Sequence, residues 1–232
     1  MLDIFSSFDS YEFNSISIIS NPIMITSMMI LLALLFSPMW LSQSRVSTMM
    51  LSPINLMYNQ LSRTQSKYLK GYTLTISMLF LVLIMINLMG MIPFSFSMSS
   101  QLMYTLALGL PLWMSLIISS MMKNKKEFMA KLLPDGAPDW LNPFLVLIET
   151  ISISVRPLTL SFRLAANMSA GHIVLGLMGI YLSVAMNSSI FNTMMLLMIS
   201  SSYIMFELAI CLIQAYIFCL LLSLYSDDHT NL

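Results

Sequence analysis

PFLVLIETISISVRPLTLSFRLAANMSAGHIVLGLMGIYLSVAM (143–186) is apolar for most of its length yet carries Glu149, Arg156 and Arg163. About 20 apolar residues cross a bilayer as a helix, so this stretch is roughly twice as long as one crossing needs. A helix of that length must tilt strongly or lie partly along the membrane. A second long apolar run, 190–225, follows across a turn at 187–190. The two therefore fold back to back as an antiparallel hairpin.

The rest of the chain agrees with a membrane setting. Of 232 residues, 58% are hydrophobic and 9% charged, against roughly 25% charged in an average soluble domain. A water-soluble globule needs a polar skin that this composition cannot supply. Ten Lys and Arg balance ten Asp and Glu, which points to neither nucleic acid nor an acidic substrate. Cys211 and Cys219 share one apolar segment without metal-site spacing, so they read as two buried thiols, and neither metal nor cofactor is expected. The N-terminal stretch carries Asp3, Asp9 and Glu12 without a basic residue. Transit and secretory signals have the opposite character, so the chain is expected either to be made in the compartment where it is used or to insert through its own helices.

Outward from the long hairpin, three further spans are legible. NPIMITSMMILLALLF begins the first, at 22–41, with Pro22 suited to a first turn and Trp40 to an interfacial belt. Residues 72–92 and 102–122 form two more, joined by PFSFSMSSQ as a helical hairpin over 72–122, with Pro111 expected to kink the second. Between the first two spans, 43–71 places Val46, Met50, Ile54, Met57, Tyr58 and Leu61 at helical spacing among basic residues. That pattern fits an amphipathic helix on the membrane surface. Residues 123–142 read as a basic loop with a PDGAPD turn. The expected architecture is one all-α integral membrane domain of about five membrane helices plus the surface helix. Eight of the ten basic residues lie in 43–71 and 123–142. The positive-inside rule then puts both loops and the C-terminus on one side, and the N-terminus on the other.

Ionisable side chains in hydrocarbon are expensive and mark candidate sites. Long side chains near helix ends snorkel to water, which accounts for Asp227 and Asp228. It accounts poorly for Arg163 and Glu207, which have long apolar runs on both sides. Glu149, Arg156 and Arg163 are spaced by seven and share a helix face, with Asn167 one turn beyond. His172 falls about half a revolution from Arg163. On the last helix Glu207, Gln214 and Asp228 form a second stripe at multiples of seven. Antiparallel packing brings His172 and Glu207 toward the N-terminal side and Arg163 and Gln214 near mid-depth. Glu149 and Asp228 come toward the basic-loop side, with Glu149 about 21 Å from Arg163 along the helix.

Titratable groups at both sides with a permanent cation between them suit two offset half-channels for protons. Arginine keeps its proton at any accessible pH and cannot relay one. It can hold a neighbouring carboxylate ionised. A fixed arginine at the waist would therefore block a direct leak and require a mobile acid partner. No mid-membrane carboxylate of this chain could travel, so that partner belongs to another subunit.

SFRLAANMSAGH (161–172), preceded by LIETISISVRPLTL, resembles the signature of subunit a of F-type ATP synthases. FELAICLIQAYIFCLLLSLY (206–225) is similar to the last helix of that family. The likeness is strong over the second half, looser over 72–142, and limited to hydropathy over the first 70 residues. The 25 methionines, with frequent Ser and Ile, resemble invertebrate proteins encoded in mitochondrial DNA. The resemblance implies that Arg163, ahead of L-x-A-N, is the essential stator arginine facing a ring of c subunits. Arg156, which precedes Pro157, is the alternative candidate. His172 and Glu207 would line the intermembrane-space half-channel, with Asn167 and Gln214 beside the arginine. Glu149 and Asp228 would serve the matrix half-channel. In bacterial relatives an acid stands at the place of His172 and a histidine near that of Glu207, so this chain has the mitochondrial arrangement. The implied setting is the mitochondrial inner membrane, with peripheral-stalk and other membrane-sector subunits as partners.

A self-contained ion channel or secondary transporter would need a complete internal pathway or repeated halves. A purely structural subunit would use its polar residues only to join helices. There is no internal repeat and no phosphate-binding loop, so the chain is expected to conduct and transmit torque while partner subunits carry the nucleotide chemistry.

Overall fold

The computed structural model describes residues 45–92, 97–133 and 139–227. The span expected at 22–41 and the carboxylate of Asp228 lie outside them. Among the described residues six α-helices follow one another: α1 (Arg45–Leu61), α2 (Tyr72–Gly90), α3 (Leu102–Lys123), α4 (Lys125–Lys131), α5 (Asn142–Met186) and α6 (Ile190–Asp227), with short 3-10 turns between some of them. Among the described residues there is no strand. Helices α2, α3, α5 and α6 are long and apolar enough to cross a membrane. The chain is an all-α integral membrane protein.

The two long helices bound the architecture. With 45 residues in α5, its length is roughly 68 Å, more than twice the roughly 30 Å hydrocarbon core. Pro157 lies within α5 without ending it. Proline removes one backbone donor, and here the Ser161 hydroxyl donates to the Pro157 carbonyl at 2.6 Å. Helix α6 folds back along α5 after a short turn at 187–189.

The core lies where α1, α2, α5 and α6 meet. Met57 and Leu61 of α1, Ile76, Phe80 and Leu83 of α2, and Leu160 and Leu164 of α5 close around Phe218, Cys219 and Leu222 of α6. Directional bonds pin this packing: Tyr72 Oη donates to the Leu222 carbonyl at 3.0 Å and Asn87 Nδ2 to the Cys211 carbonyl at 3.3 Å. Both cysteines are buried free thiols, as their apolar setting predicted.

Three sequence expectations change. Of the stretch 43–71, the described part is helical over Arg45–Leu61 and then forms a 3-10 turn at Gln65–Tyr68. Its apolar stripe packs inward at Met57 and Leu61, but Tyr58 is 54% exposed. Tyr58 sits about 100° around the helix from Met57, and its hydroxyl suits a wet boundary. The basic loop at 123–142 contains a true helix, α4. Asn124, with φ −141° and ψ 88°, breaks it from α3, and Asn124 Nδ2 donates to Glu127 Oε2 at 3.1 Å. An Asn followed three residues later by Glu is the pattern of a helix start.

The third change concerns 72–122. The connection between α2 and α3 is short, but each helix packs principally elsewhere: α2 on α1 and α6, α3 on α5. In lipid, helices associate where small residues allow close approach rather than by burial from water. Gly109 of α3 is such a place, since a Cβ there would lie 3.0 Å from Ser161 Oγ and 3.8 Å from Phe218 Cζ.

Candidate functional site

The contacts between α5 and α6 form an antiparallel ladder. At its first rung Gly171 faces Glu207, and a Cβ at Gly171 would land on the Glu207 carboxylate. Next, Cys211 Sγ meets Met168 Sδ at 3.5 Å, and Asn167 Nδ2 donates to Gln214 Oε1 at 2.9 Å. Further along, the Arg156 guanidinium lies 5.5 Å from the Tyr225 ring centre. Rising numbers on α6 meet falling numbers on α5, as the turn at 187–190 requires. This brings Asn167 and Gln214 together, and sets Glu207 at the level of His172 with Gly171 between the helices.

Burial separates the groups. Glu207 is 3% exposed and Gln214 4%, so both face α5. Neither carboxylate oxygen of Glu207 has a hydrogen-bond partner among the described residues. An unpaired buried charge costs several kcal/mol, so this carboxyl stands in a place suited to exchanging a proton. His172 is half-buried.

Arg163 lies differently. The buried face of α5 runs through Pro157, Leu160, Ser161, Leu164, Met168 and Gly171. At 100° per residue Arg163 points roughly 120° away from Pro157. It is exposed, with Phe162 and Ile213 among the large apolar side chains also open to the surroundings. Among the described residues no ion pair or hydrogen bond reaches its guanidinium. A permanent cation therefore stands on the outside of the bundle, between the Asn167 and Arg156 rungs.

At the far end Glu149 behaves as the seven-residue spacing suggested, but its partner is Arg156. Arg156 Nη2 lies 3.6 Å from Glu149 Oε1. Both line a half-open cavity of about 340 Å³ between α3, α4, α5 and α6, with Trp113, Ser120, Phe128, Tyr225 and Asp227 among its walls. Asp227 also accepts a bond from the Gln65 backbone N–H at 2.7 Å, so it ties the end of α6 to the turn after α1. Snorkelling alone did not anticipate that role. Among the described residues no group of three His, Cys, Asp or Glu side chains could hold a metal ion.

Gly171, Asn87 and Tyr225 were not singled out from the sequence. Asn87 is the one amide in the α2 span, a signal the sequence carried. It is fully buried, and its Oδ1 has no partner among the described residues. Gly171 becomes meaningful only once its rung partner is known.

Comparison with known proteins agrees with this architecture. Residues 20–227 match the model of the ATP synthase A chain family. ATP synthase subunit a of Albinaria caerulea is 47% identical over 161 residues, covering 68% of this chain and 74% of that protein. That of Mytilus edulis is 36% identical over 239 residues, covering all of both chains. ATP synthase F(0) complex subunit a of Rhopalosiphum padi is 35% identical over 203 residues, covering 85% of this chain and 88% of that one. With the family match spanning nearly the whole chain and the α5–α6 hairpin in the expected register, the chain belongs to the ATP synthase A chain family, as a subunit a of the F(0) membrane sector.

Proposed function

We propose that the α5–α6 ladder is the stator side of the proton route in a rotary ATP synthase. The observation that carries this reading is Arg163: an outward-facing cation with no partner on its own chain among the described residues, placed between two levels that carry carboxylates. A ring of c subunits, each bringing one carboxylate, is the partner such a cation needs. Glu207 and His172 receive protons on the intermembrane-space side, and Asn167 and Gln214 hold the interface beside Arg163. Glu149, together with Asp228, releases protons on the matrix side. Arg163 obliges each passing carboxylate to ionise and keeps the two half-channels from joining.

The relatives are animal proteins, so the setting is the mitochondrial inner membrane, with the C-terminus toward the matrix by the positive-inside rule. The chain contributes conduction and torque, while catalysis belongs to other subunits; peripheral-stalk subunits hold it against rotation. One proton crossing 100 mV gains about 2.3 kcal/mol, so several must pass for each ATP made. Arg163→Ala tests the reading: coupled ATP synthesis should be lost in a complex that still assembles. Normal coupled synthesis in that variant would overturn it.

A further inference from the structure

The sequence leaves Arg156 as an alternative to Arg163, and the ladder gives it other neighbours. Its guanidinium stands 3.6 Å from Glu149 Oε1 and 5.5 Å from the centre of the Tyr225 ring. All three line the cavity of about 340 Å³. The rest of that wall is mostly apolar: Trp113 and Leu116 from α3, Phe128 from α4, Ile153 from α5. Asp227 is the remaining charged group in the lining; α3 and α4 add the Ser120 hydroxyl and no charge.

We propose that Arg156 is a positioning residue for Glu149, clamping that carboxylate to the cavity wall from a perch on the Tyr225 ring. This rests on the reading of Glu149 as the matrix-side proton acceptor. Glutamate on a helix surface has three rotatable bonds, and the half-exposed Glu149 could otherwise swing along α5. One turn of helix separates a carboxylate from the next stopping place, about 5.4 Å, and misplacement of about 1 Å already slows proton transfer steeply. The task needs a cation that attracts the carboxylate while resting on an aromatic face, which arginine does best and lysine does in part. Tyr225 is itself held in the bundle by α6, so the clamp has a fixed base.

Pro157 adds a second element. It has no N–H to offer the Ile153 carbonyl four residues back, and Ile153 lines the same cavity. Ile153, beside the Glu149–Arg156 pair, therefore has a backbone acceptor without its regular helical donor. The two features fall together because Arg156 and Pro157 are adjacent.

The test uses the assembled complex in inner-membrane vesicles, with complex content measured on native gels. Arg156→Gln should lower coupled ATP synthesis five- to tenfold at unchanged content, and Arg156→Lys should restore at least half of the rate. Tyr225→Leu should lower it two- to fivefold. The decisive readout is non-additivity: in a Glu149→Gln background, Arg156→Gln should cause no further loss. Additive losses, or a loss that follows complex content and is not rescued by lysine, would mean Arg156 only joins helices and would overturn the proposal. Arg163→Ala is run alongside. If it abolishes synthesis while Arg156→Gln matches wild type, the clamp alone fails; if Arg163→Ala leaves synthesis normal, the underlying reading fails.

Discussion

Gly171→Ala isolates the contact between α5 and the buried carboxylate of α6. A Cβ at position 171 would occupy the place of the Glu207 carboxylate. The obstacle is the end of a flexible side chain rather than backbone, so the carboxylate yields and the helices keep their packing. Pushing Glu207 off its favoured rotamer costs about 0.5–1.5 kcal/mol, a small fraction of the stability of a multi-helix bundle. Displacing a proton-exchanging group by about 1 Å can cost up to about a hundredfold in rate. Assembly should therefore persist while ATP-driven proton pumping falls roughly ten- to a hundredfold, read by fluorescence quenching in vesicles of matched complex content. Gly176→Ala is the control on the same helix, because a Cβ there meets nothing within 4 Å. Pumping by Gly171→Ala at the level of Gly176→Ala would refute the reasoning, as would a complex that fails to assemble.

Three other outcomes are expected. Arg163→Lys keeps the charge but loses the planar fork; coupled synthesis should be abolished, and a normal rate would remove the role given to the guanidinium. Glu207→Gln cannot exchange a proton yet has nearly the same size, so proton uptake from one side should slow while native gels show intact complex. Gly109→Val drives a branched side chain into a gap that is 3.0 Å from Ser161 Oγ with Cβ alone. Overpacking of this kind costs about 1–3 kcal/mol, so complex content should drop, with thermal stability lowered in what remains.

The two long helices were legible because a single signal, sustained hydropathy, set their limits: 143–186 and 190–225 against Asn142–Met186 and Ile190–Asp227. Their register was legible too, since a tight turn between two regular helices leaves little freedom. Hence Asn167 meets Gln214. What the sequence did not carry were choices between lipid-equivalent neighbours. Nothing in the apolar runs 72–92 and 102–122 states which helix each prefers, because a leucine is equally at home against lipid or protein. Gly109 decides the matter through space, and Gly171 likewise matters only through its opposite number on α6. Arg156 was ambiguous for a related reason: spacing placed it on one stripe with Glu149 and Arg163, and only the third dimension gives it Tyr225 as a neighbour.

The proposed proton route requires Arg163 to face a moving carboxylate. A density map of the whole membrane sector tests it most directly, by revealing what lies across from that guanidinium. A rotor helix bearing an acidic side chain within a few ångströms is the expected result. Acyl chains, or a stationary helix without an acid, would contradict it.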